Sequence, residues 1–141
     1  MVHLKSKKEI TKMRDAGRIV AEVLLELAAI VEPGVSTGQL DRVAAREVEK
    51  RNGSASFLHY RGYPASLCTS VNENIVHGIP SDDEVLNDGD IISVDLGVAY
   101  NGFHGDAAIT LPVGMVSREA RRLMQVTENA LLNAILQAQP G

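Results

Sequence analysis

Asp90-Ile91-Ile92-Ser93-Val94-Asp95-Leu96-Gly97-Val98-Ala99-Tyr100-Asn101-Gly102-Phe103-His104-Gly105-Asp106-Ala107-Ala108-Ile109-Thr110 is the stretch whose reading decides the fold. Asn-Gly between two alternating runs signals a β-hairpin, because a type I′ turn needs positive φ at both central residues. With Asn101 and Gly102 in those places, Tyr100 faces Phe103. Counting outward sets Gly97 opposite Asp106 and Asp95 opposite Ala108. Side chains alternate faces along a strand, so Asp95 and Asp106 form a diagonal pair on one face. Diagonal neighbours lie roughly 7–8 Å apart at the backbone, close enough for carboxylates leaning together to reach one ion. Gly97, between them, is expected to leave an open volume there.

The opposite face is apolar: Ile92, Val94, Leu96 and Val98 with Phe103, Ala107, Ile109 and Leu111. The aspartate face also carries Ile91, Gly97 and Ala108, so a sheet covered on both sides would put the two carboxylates in an interior. Buried together they repel unless a cation or a shared proton stands between them, and the pair therefore points to a metal. The competing reading is an ordinary hairpin with two solvated aspartates, the usual fate of carboxylates. One β-bulge would break the parity on which the pairing rests.

Three helices frame this hairpin. Ser6-Lys7-Lys8-Glu9 is a capping box, followed by Ile10, Met13, Gly17, Val20, Leu24, Leu27 and Val31 at helical spacing until Pro33-Gly34. Ser36-Thr37-Gly38-Gln39 is a second box, leading Leu40, Val43, Ala44 and Val48 and closed by Asn52-Gly53. Ser117 opens a third helix, with Leu123, Met124, Thr127, Leu131, Ala134, Ile135 and Ala138 on one stripe. Short strands are expected at Ser54–Tyr60, Leu67–Val71, Asp90–Val98 and Phe103–Leu111. The fold class is α+β, with a curved antiparallel sheet backed by long helices.

Aligning Pro140-Gly141 with Pro33-Gly34, an offset of 107, superposes the first and third helices, Leu24 on Leu131 and Leu25 on Leu132. This weak repeat signal suggests one helix–helix–sheet unit plus the first helix of a second. The 141 residues allow a single domain, and 45% hydrophobic residues suit a soluble protein. No apolar run approaches a membrane span, and the N-terminus lacks the apolar stretch of a signal peptide. A net charge of −4 with mixed signs gives no footprint for nucleic acid. The lone Cys68 excludes an intrachain disulfide and suits a reducing cytoplasm.

Pro33-Gly34-Val35-Ser36-Thr37, Gly62-Tyr63-Pro64, Ser70-Val71-Asn72-Glu73-Asn74-Ile75-Val76-His77-Gly78-Ile79-Pro80, Asp88-Gly89-Asp90-Ile91, Val94-Asp95-Leu96-Gly97 and Asn101-Gly102-Phe103-His104-Gly105-Asp106 together resemble type I methionine aminopeptidase. The resemblance is collinear from about Glu9 to Gly141. It implies half of a pita-bread fold: the first half at about 6–112 and the first helix of the second half at about 117–139. It implies two divalent metal ions in the complete enzyme, with cobalt, manganese, iron, zinc and nickel not distinguished. Asp95 and Asp106 match metal ligands, the latter bridging both ions. His77 matches a residue that contacts substrate near the scissile carbonyl, and is the catalytic candidate. Phe57, Tyr60, Tyr63 and Cys68 fall where the family lines its methionine pocket, although such residues are also commonly buried for packing alone. His104 should share the aspartate face without a metal role, and His59 should be exposed.

The implied activity is removal of the N-terminal initiator methionine from nascent polypeptides. The family's other ligands, a histidine and two glutamates, come from the second half and have no counterpart here. The chain alone is therefore expected to be inactive or weakly active, with a complementary second half or a homodimer as partner. The alternative is a catalytically incomplete half-domain that self-associates and binds divalent metal without hydrolysis. A proline-directed aminopeptidase on the same fold is a third reading.

Overall fold

The protein is described by a computed structural model over residues 3–141. Helix α1 (Lys7–Ala28) starts on a complete capping box. The Ser6 hydroxyl accepts from the Glu9 amide at 3.3 Å, and the Glu9 carboxylate accepts from the Ser6 amide at 2.6 Å. Its buried stripe, Ala16, Ile19, Val20, Val23, Leu24 and Leu27, has the spacing of one helical face. The helix stops at Ala28 rather than running to Val31, while Ile30 and Val31 pack on the core from the turn beyond it. Helix α2 (Thr37–Lys50) is capped by Ser36, whose hydroxyl accepts from the Gln39 amide at 3.1 Å. Here the box is one-sided, and the Ser36 hydroxyl also donates to Asp82 at 3.3 Å.

Four antiparallel strands form the sheet: β1 (Ser54–Ala55), β2 (Leu67–Val71), β3 (Ile91–Tyr100) and β4 (Phe103–Pro112). β3 is central, paired along its length with β4 and on its other edge with β1 and β2. The expected register holds at every position counted: Tyr100 faces Phe103, Gly97 faces Asp106 and Asp95 faces Ala108. Asn101 and Gly102 have φ of +50° and +81°, as a type I′ turn requires.

The expected strand at Ser54–Tyr60 exists only as Ser54–Ala55. Beyond it the chain leaves the sheet through a turn at Tyr60–Gly62, with His59 and Arg61 in the left-handed region at φ +67° and +50°. Those angles are incompatible with a strand, so Phe57 and Tyr60 belong to a loop.

The apolar face of the β3–β4 hairpin is covered by α1, and Ile92, Val94, Leu96 and Val98 are inaccessible to solvent. Gly105 permits the closest approach. A Cβ there would lie 2.6 Å from the Gly17 nitrogen and 2.7 Å from the Ala16 carbonyl carbon of α1. Helix α3 (Arg118–Gln137) buries none of its residues, and the stripe read from its sequence faces solvent.

An ion cluster joins α1 to the end of α2. The Arg51 guanidinium donates to Glu22 at 3.0 Å, to Glu26 at 2.5 Å and to Glu47 at 3.1 Å, while Lys50 reaches Glu47 at 2.7 Å. The Lys50 hydrogen bond, with those from Arg51 and Arg46 and against the cost of burial, pulls the Glu47 carboxyl down from 4.5 to about 2. A carboxyl depressed by folding adds stability above its ordinary pKa and gives it up as pH falls through the folded value. Glu47→Gln is therefore expected to lower the urea midpoint at pH 6 and to flatten its decline between about pH 4.5 and 2. An unchanged acid limb would show that the cluster contributes nothing net.

Candidate functional site

The hairpin register sets the floor of the site. Asp95 on β3 and Asp106 on β4 are diagonal neighbours, and Cys68 on β2 is the direct cross-strand partner of Asp95. Because cross-strand partners share a face, Cys68 and the two aspartates point the same way. One edge of Asp95 is buried, and its Oδ1 has no hydrogen-bond partner among the described residues.

Two expectations about this face are corrected. The aspartate face is not an interior: Asp106 is exposed and Asp95 only half-buried, because no described element covers that side of β4. The volume beside Gly97 is not open either. A Cβ on Gly97 would lie 2.7 Å from the Phe57 Cε1 and 3.0 Å from the Ser56 Cβ, so the glycine is where the loop after β1 rests on the strand. The Ser56 amide donates to the Gly97 carbonyl at 2.8 Å, and the Ser56 hydroxyl is 2.8 Å from the His104 Nδ1. His104 is thus on the aspartate side, as counted, and holds the loop that carries Phe57. His59 is exposed.

The walls come from two loops. In the first, the His59 amide donates to the Tyr63 carbonyl at 2.8 Å, closing the turn upon itself. The Tyr63 hydroxyl lies 2.8 Å from the Leu67 carbonyl and 2.9 Å from the Gly78 carbonyl, and its single proton ties this loop to the second. In the second, His77 takes a left-handed φ of +61° and Gly78 docks against β2. The Thr69 amide donates to the Gly78 carbonyl at 3.0 Å, and the Gly78 amide to the Ser70 hydroxyl at 3.2 Å.

Phe57, Tyr60, Tyr63, Cys68, His77, Asp95 and Asp106 all line one cavity of about 590 Å3. Arg61 and Ile79 also line it and were not singled out from the sequence. Their positions beside Tyr60 and two residues after His77 were the available signal.

Burial raises the Asp95 carboxyl above its ordinary 3.8, the Asp106 charge raises it further, and His77 opposes both. Burial also raises the Cys68 thiol, with Asp95 and Asp106 adding to the effect and Tyr63 opposing it. A thiol held protonated in this way is a soft apolar wall rather than a nucleophile. Burial, and then Cys68, push the Tyr63 phenol upward, so it stays a donor. The half-buried Asp95, with one oxygen lacking a partner and a second carboxylate beside it, fits a hard divalent cation. Among the described residues no group of three or more His, Cys, Asp or Glu is placed to hold a metal ion. Two carboxylates cannot satisfy a pair of such ions, which together take roughly ten or more ligand positions.

Against known proteins, the profile of metallopeptidase family M24 matches residues 11–141. Methionine aminopeptidase 1 of Bacillus subtilis is 47% identical over 141 residues, covering 100% of this chain and 56% of that protein. The crystal structure of methionine aminopeptidase from Thermotoga maritima superposes with a TM-score of 0.97 at 38% identity, covering 100% of this chain and 57% of that one. An Escherichia coli aminopeptidase P in complex with substrate superposes with a TM-score of 0.82 at 26% identity, covering 97% of this chain and 30% of that one. The fold is the pita-bread arrangement of these aminopeptidases, and the chain spans about half the length of the curated relatives it matches. No helix among the described residues is long and apolar enough to cross a membrane.

Proposed function

Because the chain belongs to metallopeptidase family M24, we propose that it supplies part of the active site of a methionine aminopeptidase, an enzyme that removes the N-terminal methionine of nascent polypeptides in the cytoplasm. Residues from about 6 to 112 are the first half of the pita-bread fold, and about 117 to 139 the first helix of the second. Asp95 and Asp106, on the floor of the cavity, would supply part of the ligand set of the divalent ions. Bound there, divalent ions would supply Lewis-acid chemistry and an acidified water. Phe57, Tyr60, Tyr63 and Cys68 receive the methionine side chain, excluding water from it with aromatic and sulfur surface. His77, which lines the same cavity as the two aspartates and whose charge opposes the rise of the Asp95 carboxyl, donates a hydrogen bond near the scissile carbonyl.

The observation that supports this reading is the single cavity with two carboxylates on its floor and soft apolar walls. The remaining metal ligands and the proton-transfer group belong to a complementary second half. With Mn2+ or Co2+, the chain alone is expected to cleave Met-Ala negligibly, and to cleave it readily once that half is added, leaving Ala-Pro intact. Cleavage of Ala-Pro instead would assign a proline-directed enzyme. No turnover by the complemented protein with either metal would overturn the proposal.

The exposed face of α3 favours one further reading. Leu131, Leu132, Ile135 and Leu136 are each more than half exposed, and exposed apolar residues gathered on one helix mark an association surface. A catalytically incomplete half-domain that pairs with a second copy, and binds divalent ions without hydrolysis, would cover it. Light scattering that gives the monomer mass at high concentration would exclude that reading.

A further inference from the structure

One loop supplies Phe57, Tyr60, Tyr63 and Pro64 to the cavity wall. Its own hydrogen bonds, from the Tyr60 amide to the Phe57 carbonyl at 2.9 Å and from the His59 amide to the Tyr63 carbonyl at 2.8 Å, fold it upon itself without reaching the sheet. Its far end is tied down by the Tyr63 hydroxyl. At its near end β1 stops at Ala55, opposite Val98, so Ser56 comes beside Gly97. The main chain makes one bond there, from the Ser56 amide to the Gly97 carbonyl, which any residue but proline could make. The side chain makes another, its hydroxyl 2.8 Å from the His104 Nδ1 on β4. To make it the imidazole spans the central strand β3 diagonally. Ala99, the cross-strand partner of His104, has only a methyl, and Gly97 has no side chain to stand in the way.

Phe57 is the next residue along the chain, half-buried, with its ring against Gly97. Where that ring stands depends on where the backbone at Ser56 is held. His104 lies two residues before Asp106 on the same face of the same strand, so the Ser56–His104 bond ties the aromatic wall to the strand that carries a floor carboxylate. We infer that His104 is a positioning residue for methionine selectivity, fixing the Phe57 ring in the pocket wall through Ser56. His104 does not itself line the cavity, so it acts through those two residues. A methionine side chain is long enough to meet such a wall, and its sulfur gains from an aromatic neighbour, whereas alanine's methyl does not reach it. The preference for one over the other therefore reads the position of the ring. This inference rests on the methionine-pocket reading above.

The test compares the unaltered chain with Ser56→Ala, His104→Ala, the double variant, His104→Asn and His104→Gln. NMR titration of the isotope-labelled proteins gives the affinity ratio of Met-amide over Ala-amide, and NOEs without ligand give the contact between the Phe57 ring and the Gly97 α-protons. The two amides differ only in the side chain, so their ratio isolates it. Each single alanine variant should lower the ratio about two- to tenfold, the span of one net hydrogen bond, and weaken the ring contact. The double variant should lower it no further, since both changes remove the same bond. Asn carries a polar atom where histidine has Nδ1 and should restore most of the ratio, whereas Gln, with its polar atoms one bond farther out, should not. His104 is exposed, so the urea midpoints should stay together and a lower ratio is no loss of fold. A ring contact or a ratio unchanged by His104→Ala would overturn the positioning role, as would equal ratios for Asn and Gln. A ratio of one in the unaltered chain, or no binding of either amide, would overturn the methionine pocket instead, and the ring contact would still decide whether His104 positions Phe57.

Discussion

Asp95→Asn is expected to raise the melting temperature of the metal-free chain at neutral pH and to cancel the gain that Mn2+ gives the unaltered chain. The first effect follows from burial. One Asp95 oxygen is enclosed without a partner, and the Asp106 charge stands close enough to disfavour ionisation further. A carboxyl raised by folding contributes stability below its ordinary 3.8 and loses it as pH climbs through the folded value. Above that window the metal-free protein carries a charge that its fold disfavours. The amide removes the charge at similar volume, so the variant should be the more stable near pH 7, with the difference vanishing toward pH 3.

The second effect has the opposite sign. A cation held by Asp95 and Asp106 turns the repulsion into attraction and binds only the folded chain. At a hundredfold excess over Kd such linkage is worth about 2.7 kcal/mol, roughly 5–10 °C for a chain of this size. Asp106→Asn separates the two effects. Asp106 is exposed, so its loss should do less for the metal-free protein while still abolishing the Mn2+ response. Calorimetry of the three proteins with and without Mn2+ checks all of this. A lower melting temperature for metal-free Asp95→Asn, or an unaltered chain indifferent to millimolar Mn2+, would remove the metal from the site.

What could be read from residue order alone divides by the range of the interaction. The hairpin was legible to the residue because Asn101-Gly102 fixes the turn type, and a two-residue turn fixes every pairing outward to Asp95 and Ala108. The starts of α1, α2 and α3 were legible for the same reason, since a hydroxyl accepting an amide three residues on is a local event. The expected strand through Tyr60 failed because His59 and Arg61 adopt positive φ, which neither residue type encodes. That conformation is set by the hydrogen bond to Tyr63 and by the docking of Phe57 on Gly97. Gly97 was misread in turn, because a glycine opposite a carboxylate reads as a vacancy until the distant aromatic ring that fills it is known. Cover over the aspartate face and over α3 is likewise a tertiary property, and alternation along one strand carries no record of it.

The same dependence on distant contacts gives two glycines opposite responses to one added methyl group. A Cβ at Gly78 would run into the Thr69 carbonyl oxygen, backbone against backbone, with no flexible side chain to yield. The loop must lift, and it holds on by the Thr69 amide to the Gly78 carbonyl and by the Tyr63 hydroxyl to the same carbonyl. Thr69 is inaccessible to solvent, so a lost partner leaves its amide stranded, at about 1–3 kcal/mol. Strain from overpacking adds about 1–3 kcal/mol. Gly78→Ala should therefore cost about 2–6 kcal/mol, a large part of a typical domain's 5–15. It should also displace His77, whose left-handed backbone adjoins the clash, and so weaken methionyl-peptide binding in whatever fraction stays folded. At Gly17, inside α1, a Cβ meets nothing within 4 Å. There the alanine restricts the unfolded chain and favours the helix, so Gly17→Ala should stabilise by about 0.5–1 kcal/mol. Urea denaturation of both variants beside the unaltered chain decides the matter. A Gly78→Ala protein within about 1 kcal/mol of the original would mean that the His77 loop is not held against β2 in the way its hydrogen bonds require.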